Sequence, residues 1–502
     1  MLLIYPPVAK ACEPPAGIAL LAGTLKANDL ACTLLDANIE GLLHLLEKTP
    51  HATDRWSLRA EKNREQNLSS LRSRELYAHP ARYQRAVADL NRLLDLAGNQ
   101  EQLSLTLANY QEKNRSPLKS TDLIAAAAAP ERNIFYPYFS SRLASLVEEK
   151  DPAVIGISLN YLSQAQTTFA MIGFLKKSFP ALSIILGGGL VTSWLRNPAW
   201  QNPFSGLIDH CIAGPGEEPL LRLLETPARP PRHTAPSYTG LPRKEYLAPG
   251  FILPYAASSG CYWNKCLFCP EKAEQNPYSQ IAPTTVLADL AGLIADTHPS
   301  LIHFLDNAIS PALLQALADH PPGVPWYGFA RITPQLADKE FCRALRASGC
   351  RMLKLGLESG DQGVLNAMHK GIDLALVSQA LCCLKEAGIG TYVYLLFGTP
   401  SETLPAARRT MEFVARHHTA ITFLNLAVFN MPLASPEADM VQRRHFYEGD
   451  LSLYTDFIHP HGWSRKEIRR FLDHEFKRHP AISPILQRDP LLFTSNHAPF
   501  FL

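Results

Sequence analysis

The sequence predicts an α/β chain in two parts: an N-terminal doubly wound parallel sheet domain, then a (β/α)6 partial barrel with a small C-terminal tail region. Three observations carry this. A length of 502 residues is enough for two or three domains. Short apolar runs ending in Gly-rich or polar turns alternate with helical spacings, as parallel sheets require. A Pro-rich stretch, TPARPPRHTAPSYTGLP, interrupts the alternation midway and reads as a linker at 226–249.

The first block spans residues 1–225. LLIY is a strand, PPVAKACEPPAG a loop, and residues 18–26 a helix, followed by a strand at 31–35. From about 45 to 135 the chain becomes polar and helical, as in RWSLRAEKNREQNLSSLRSREL, and reads as an insertion packed through Leu90, Leu93 and Leu94. Alternation resumes with a strand at 153–158. A helix over 163–179 carries Phe169, Ile172, Leu175 and Phe179, and strands at 183–186 and 207–213 run into Gly187-Gly188-Gly189 and Gly214-Pro215-Gly216. The second block, 250–430, offers strands at 252–257, 301–305, 326–331, 352–357, 391–397 and 421–429, with a site expected at their C-terminal ends. Residues 431–502 form a helical or loop extension.

Composition narrows the function. With 48 Lys+Arg against 46 Asp+Glu, neither a strongly basic nucleic-acid binder nor a disordered acidic chain is expected. No apolar run approaches the roughly 20 residues of a membrane span, and the opening MLLIYPP lacks the charged leader of a secretory signal, so a cytoplasmic protein is expected.

Chemistry enters with SSGCYWNKCLFCPEK, directly after the first strand of the second block. Cys261, Cys266 and Cys269 are separated by four and then two residues on one loop. Three thiolates with no fourth Cys or His nearby suit an iron-sulfur cube that keeps one iron open. A structural zinc ion would need a distant fourth ligand, and chance crowding of buried thiols is the remaining reading.

The loop and its placement resemble the radical S-adenosylmethionine (SAM) family over nearly the whole chain. The resemblance implies a 4Fe-4S cluster on Cys261, Cys266 and Cys269, with SAM on the open iron; the usual spacing of the first two cysteines is one residue shorter. It further implies that Phe268 lies near the adenine and that Asp306 and Asn307, ending the second strand, hold the SAM amino group, although an Asx turn is the plain alternative. Arg331 pairs with the SAM carboxylate or forms a surface ion pair. Glu358 and Ser359 of the GLESG segment face the ribose or amino-acid part, and Gly398 of FGTPSET allows close approach to adenine.

In the first block, ISLNYLSQA, IILGGGLVT and CIAGPGEEPL resemble the Rossmann-like cobalamin-binding domain of one subclass of that family, with Ser158, Gly188 and Gly216 as the positions toward cobalamin. The Asp-x-His-x-x-Gly motif that supplies a cobalt ligand in many such domains is missing, so cobalamin binds without a His below cobalt or the domain is a retained scaffold. Tail residues His459, His461 and His497 read as surface or packing groups, with SNHAP as a candidate lid, and Cys382-Cys383 reads as helix core.

The expected activity is reductive cleavage of SAM to a 5′-deoxyadenosyl radical. With cobalamin, methyl transfer to an unactivated carbon follows; without it, a rearrangement, oxidation or coupling on a peptide or small metabolite. A nonenzymatic iron-sulfur scaffold or sensor is the alternative. Expected partners are a small-molecule or peptide substrate and an electron donor such as flavodoxin or ferredoxin. An RNA-modifying role would call for an appended basic module, and no clear one follows Met431.

Overall fold

The computed structural model describes residues 1–48, 54–98, 102–225, 233–444, 449–490 and 497–502. These fall into two compact units, one built on residues up to 252 and one beginning at 253.

Apolar runs of four or five residues form the first sheet. Its strands are β1 (Leu2–Tyr5), β2 (Thr33–Asp36), β3 (Val154–Ser158), β4 (Ser183–Gly187) and β5 (His210–Cys211), in the order β2-β1-β3-β4-β5. Every pairing is parallel. The chain reverses direction across the sheet between β1 and β3, so ligands of such sheets are expected beside the C-terminal ends of these strands. Asp36 ends β2 and caps the helix Ala37–Glu47, accepting from the backbone N–H of Asn38 and Ile39.

Between β2 and β3 lie the helices Arg55–Lys62, Arg64–Leu71, Arg74–Tyr77 and Pro80–Ala97, then an antiparallel ribbon of Leu103–Leu105 with Tyr110–Glu112, then the helices Ser120–Ala128 and Tyr136–Lys150. Leu90, Leu93 and Leu94 are fully buried. The buried Asp89 beside them accepts from Trp56 Nε1 at 2.9 Å and from Arg59 at 2.7 Å. The described part of the Pro-rich stretch packs on this unit: Ser237 N donates to Ala19 O at 2.8 Å, and the Tyr246 hydroxyl to Asp36 at 2.9 Å. Residues 226–232 of that stretch lie outside the described residues.

The second sheet has six strands: β6 (Ile252–Tyr255), β7 (Leu301–Ile309), β8 (Trp326–Ala330), β9 (Cys350–Glu358), β10 (Gly390–Phe397) and β11 (Phe423–Val428). They lie side by side in chain order, and the pairings from β7 to β11 are parallel. Register places Phe329 opposite Lys354 and Lys354 opposite Tyr392, so these three share a face. The other face carries Phe304 and Trp326, and Trp326 Nε1 reaches Ser348 O beyond the helix Lys339–Ala347 at 3.2 Å. That face is the one the helices cover.

The tail departs from a helix-and-loop expectation. Met431–Pro432, Tyr454–Phe457 and Arg443–Arg444 make a small antiparallel sheet, in which the strand formers Tyr454, Thr455 and Phe457 help the central segment pair on both sides. Helix Arg465–Phe471 follows, and Ser464 and Glu467 close its first turn as a capping box. No helix among the described residues is long and apolar enough to cross a membrane.

Candidate functional site

After β6 the chain enters a loop closed at its base by an antiparallel pair, Ser258–Ser259 with Ser279–Gln280, and all three clustered cysteines lie inside it. Asp306 and Asn307 brace its entry. The buried Asp306 carboxylate accepts from Ala257 N at 3.1 Å and from Ser258 Oγ at 2.5 Å, and Asn307 Nδ2 donates to Gly260 O at 3.1 Å. Burial raises the Asp306 carboxyl above its ordinary range, against the pull of those donors.

Cys266 is buried and Cys261 and Cys269 are partly exposed, all as free thiols. Burial raises the Cys266 thiol, opposed by the Lys370 and Arg331 charges; Cys269 is pushed up to about 11 by burial, opposed by the N–H groups of Glu271 and Lys272. Cys269 also feels both other thiols and Cys266 feels Cys261, so the three are electrostatic neighbours. Among the described residues, however, no three His, Cys, Asp or Glu side chains converge tightly enough to hold a single metal ion.

A ring of charged and aromatic side chains surrounds Cys266. Arg331, just past β8, donates to Lys370 O at 2.6 Å, sets Nη1 3.9 Å from Cys266 Sγ and lies 4.2 Å over the Trp263 ring. Glu358, at the end of β9, has a left-handed backbone (φ 69°) and pairs with Lys370 Nζ at 2.8 Å. Lys370 in turn stands 5.5 Å over the Phe268 ring. The backbone ties the same parts together, with Leu267 N donating to Met368 O at 3.0 Å. Four expected residues, Cys266, Phe268, Arg331 and Glu358, are thus in one place.

Others serve their own elements. Ser359 is fully buried, with its hydroxyl 3.1 Å from Thr410 Oγ1 and accepting from Asp361 N at 3.1 Å. Gly398 has φ 86°, and a Cβ there would stand 2.4 Å from Ile468 Cδ1, so packing and backbone both require glycine. Its N–H donates to Glu402, a fully buried carboxyl pushed up to about 7 by burial.

In the first unit, Ser158 Oγ accepts from Asn160 Nδ2 at 3.0 Å. Gly188 turns at φ 109° against Leu159 O, which a Cβ would meet at 2.4 Å. Gly216 lies against Leu21, 3.3 Å from where its Cβ would be. The loop after β1 is stitched to the start of the helix Leu162–Ser178: Ser163 Oγ donates to Val8 O at 2.8 Å and Gln164 Nε2 to Pro6 O at 2.7 Å. Lys10 and Glu13 form a buried ion pair in the same loop.

Sequence reading passed over Trp263, Lys370, Glu402 and the buried Lys354, whose Nζ lies 3.0 Å from His303 Nε2 beside Tyr327 and Phe329. The position of Lys354 in MLKLGL, an apolar strand run, was the available signal. His459 is buried, its Nε2 2.8 Å from Thr399 O, and burial lowers its pKa. Cys383 donates to Ala337 O at 3.3 Å while Cys382 is exposed.

An open parallel α/β unit, followed by a six-stranded unit whose strands β7 to β11 pair in parallel and whose first strand leads into a three-cysteine loop, defines the class by fold. The model shares that fold with a radical SAM methyltransferase, TsrM from Kitasatospora setae, in a structure with tryptophan substrate and a SAM analogue (aza-SAM) bound: TM-score 0.54, 16% identity, covering 87% of this chain and 74% of TsrM. TsrM with cobalamin and a [4Fe-4S] cluster bound gives TM-score 0.53 and 16% identity over 88% of this chain and 77% of TsrM. In sequence, the chain is 21% identical over 315 residues to an uncharacterized methyltransferase of Pyrococcus horikoshii, covering 55% of this chain and 67% of that protein. No protein-family model matches the chain.

Proposed function

We infer that the protein is a cobalamin-dependent radical SAM methyltransferase acting on a small molecule or peptide. The observation that carries this is the surroundings of Cys266. Three thiols on one loop, with Cys269 feeling the charge of both others, suit a cluster in which each thiolate binds its own iron. A closed tetrahedral zinc site needs a fourth protein ligand. Arg331 and Lys370 favour the thiolate form, offsetting the burial that raises Cys266.

Beside that thiol the chain presents one carboxylate, Glu358, and two cations, Lys370 and Arg331. This is the charge complement of a zwitterionic amino acid, and these side chains would orient the methionine part of SAM. Phe268 would flank its adenine. In the first unit the crevice between β1 and β3 would take a nucleotide tail, with Ser158 ending β3 and Gly188 and Gly216 in the turns after β4 and β5. The loop after β1 offers no imidazole, so the lower face of cobalt would have no His from this loop. When bound, the reduced cluster, SAM and cobalamin would supply radical formation at the substrate and a methyl group for transfer.

The test is anaerobic reconstitution with iron, sulfide and hydroxocobalamin, followed by reaction with SAM and a strong reductant. A corrin absorbance band retained after gel filtration, with S-adenosylhomocysteine or 5′-deoxyadenosine released, is the expected result. A cluster that cleaves SAM without any retained corrin removes the methyl-transfer part and leaves cobalamin-independent radical chemistry. Absence of SAM turnover under full reduction overturns the reading.

A further inference from the structure

We propose that the open pocket beside the cysteine loop, lined by Trp263, Lys265, Lys272 and His369, is the docking face for an acidic one-electron carrier protein, with Trp263 as the point of electron entry. The inference rests on the loop holding an iron-sulfur cluster. The pocket, of about 400 Å³, lies directly behind the ligand loop. Trp263 is gripped between two cations: Lys265 Nζ is 4.8 Å from its ring and the Arg331 guanidinium 4.2 Å. Its Nε1 donates to His369 O at 3.2 Å, which fixes the ring in place.

From the ring the route inward is short. Trp263 touches Arg331, and Arg331 Nη1 lies 3.9 Å from Cys266 Sγ, so one aromatic and one guanidinium join the surface to the buried ligand. The charge there is positive. Lys265 and Lys272 line the pocket and no carboxylate is among its described lining residues; Glu437, half-buried and raised by burial, interacts with Lys272 and His369. Such a patch attracts and orients an acidic partner, at a rate that falls with ionic strength. Single-stranded nucleic acid uses a row of stacking aromatics along a basic groove; this pocket has one aromatic, and it leads to a thiol. In the transfer the reduced carrier loses one electron and the oxidised cluster gains it, with no bond made or broken.

The test uses the reconstituted protein and flavodoxin. Lys265→Glu is the informative variant because Lys265 is exposed, whereas Lys272 also holds the loop by donating to Lys265 O at 3.2 Å. Binding of oxidised flavodoxin, followed by calorimetry, is expected to weaken at least tenfold in Lys265→Glu and to weaken with salt in the wild type. Cluster reduction by flavodoxin hydroquinone is expected to slow by a similar factor, while reduction by dithionite and the iron content stay unchanged. Equal affinity and equal flavodoxin-driven rates in the two proteins overturn the proposal, as does binding of a single-stranded oligonucleotide at this face with none of flavodoxin. Failure to assemble any cluster would instead overturn the functional reading beneath it, a result that iron analysis separates from the binding data.

Discussion

Glu402 and Trp463 are joined through one carboxylate oxygen: Glu402 Oε2 accepts from the indole Nε1 at 3.3 Å and from Gly398 N at 2.5 Å. The contact ties the turn at the end of β10 to the segment leading into the helix Arg465–Phe471. The other oxygen, Oε1, finds no hydrogen-bond partner among the described residues, and the whole residue is buried.

A pH dependence follows. The folded carboxyl titrates at about 7, above its ordinary 4.5, chiefly through burial. Between those values the folded state holds a proton that the unfolded state has lost, so stability falls as pH rises through this window; below 4.5 both states are protonated and the cost vanishes. The upper bound is about 3 kcal/mol. Glu402→Gln keeps an acceptor for Gly398 N and Trp463 and removes the charge. Its stability relative to wild type, measured by denaturant titration, should rise between pH 4.5 and 7 and then level off.

Gly398→Ala should cost about 1–3 kcal/mol. The added methyl would meet Ile468 Cδ1 at 2.4 Å on a backbone with φ 86°. Pairing it with Ile468→Ala relieves only the contact, so denaturant midpoints should recover in part.

Arg331→Met removes a charged hydrogen bond to Lys370 O and a cation–π contact, together about 2 kcal/mol. Reconstituted iron should be lost faster on dilution into chelator, with little change in secondary structure by circular dichroism. Arg331→Lys should fall between, since a point charge replaces a planar fork.

Asp306→Ala strands a buried Ala257 N–H, at a cost of about 1–3 kcal/mol. Hydrogen exchange should quicken first at residues 257–260, and Asp306→Asn, which retains one acceptor oxygen, should protect Ala257 better.

Much of the fold was legible because apolar runs bounded by glycine and proline mark buried strands: β1 and β10 begin and end within a residue of the runs LLIY and TYVYLLF. Legibility failed where pairing overrides composition. β7 continues past Asp306 and Asn307 to Ile309, where pairing with β8 resumes after a register shift, while β5 shrinks to His210–Cys211 at the sheet edge. For the site, strand-end position singled out Arg331 and Glu358 in advance. Their partner Lys370 is 12 positions from Glu358, on a loop whose path only the packed structure fixes. Trp263 was invisible for the same reason: its significance lies in Arg331, which is distant in sequence. Ser359 shows the converse, a residue in a suggestive segment whose hydroxyl is engaged by Thr410.

The most direct test of the account is metal analysis of anaerobically reconstituted protein, combined with electron paramagnetic resonance after reduction, for wild type and for Cys261→Ala, Cys266→Ala and Cys269→Ala. The account predicts about four irons per chain in the wild type, a reduced-cluster signal that changes when SAM is added, and loss of that signal in each variant. One zinc per chain with no iron signal, or a full iron complement in Cys266→Ala, would contradict it.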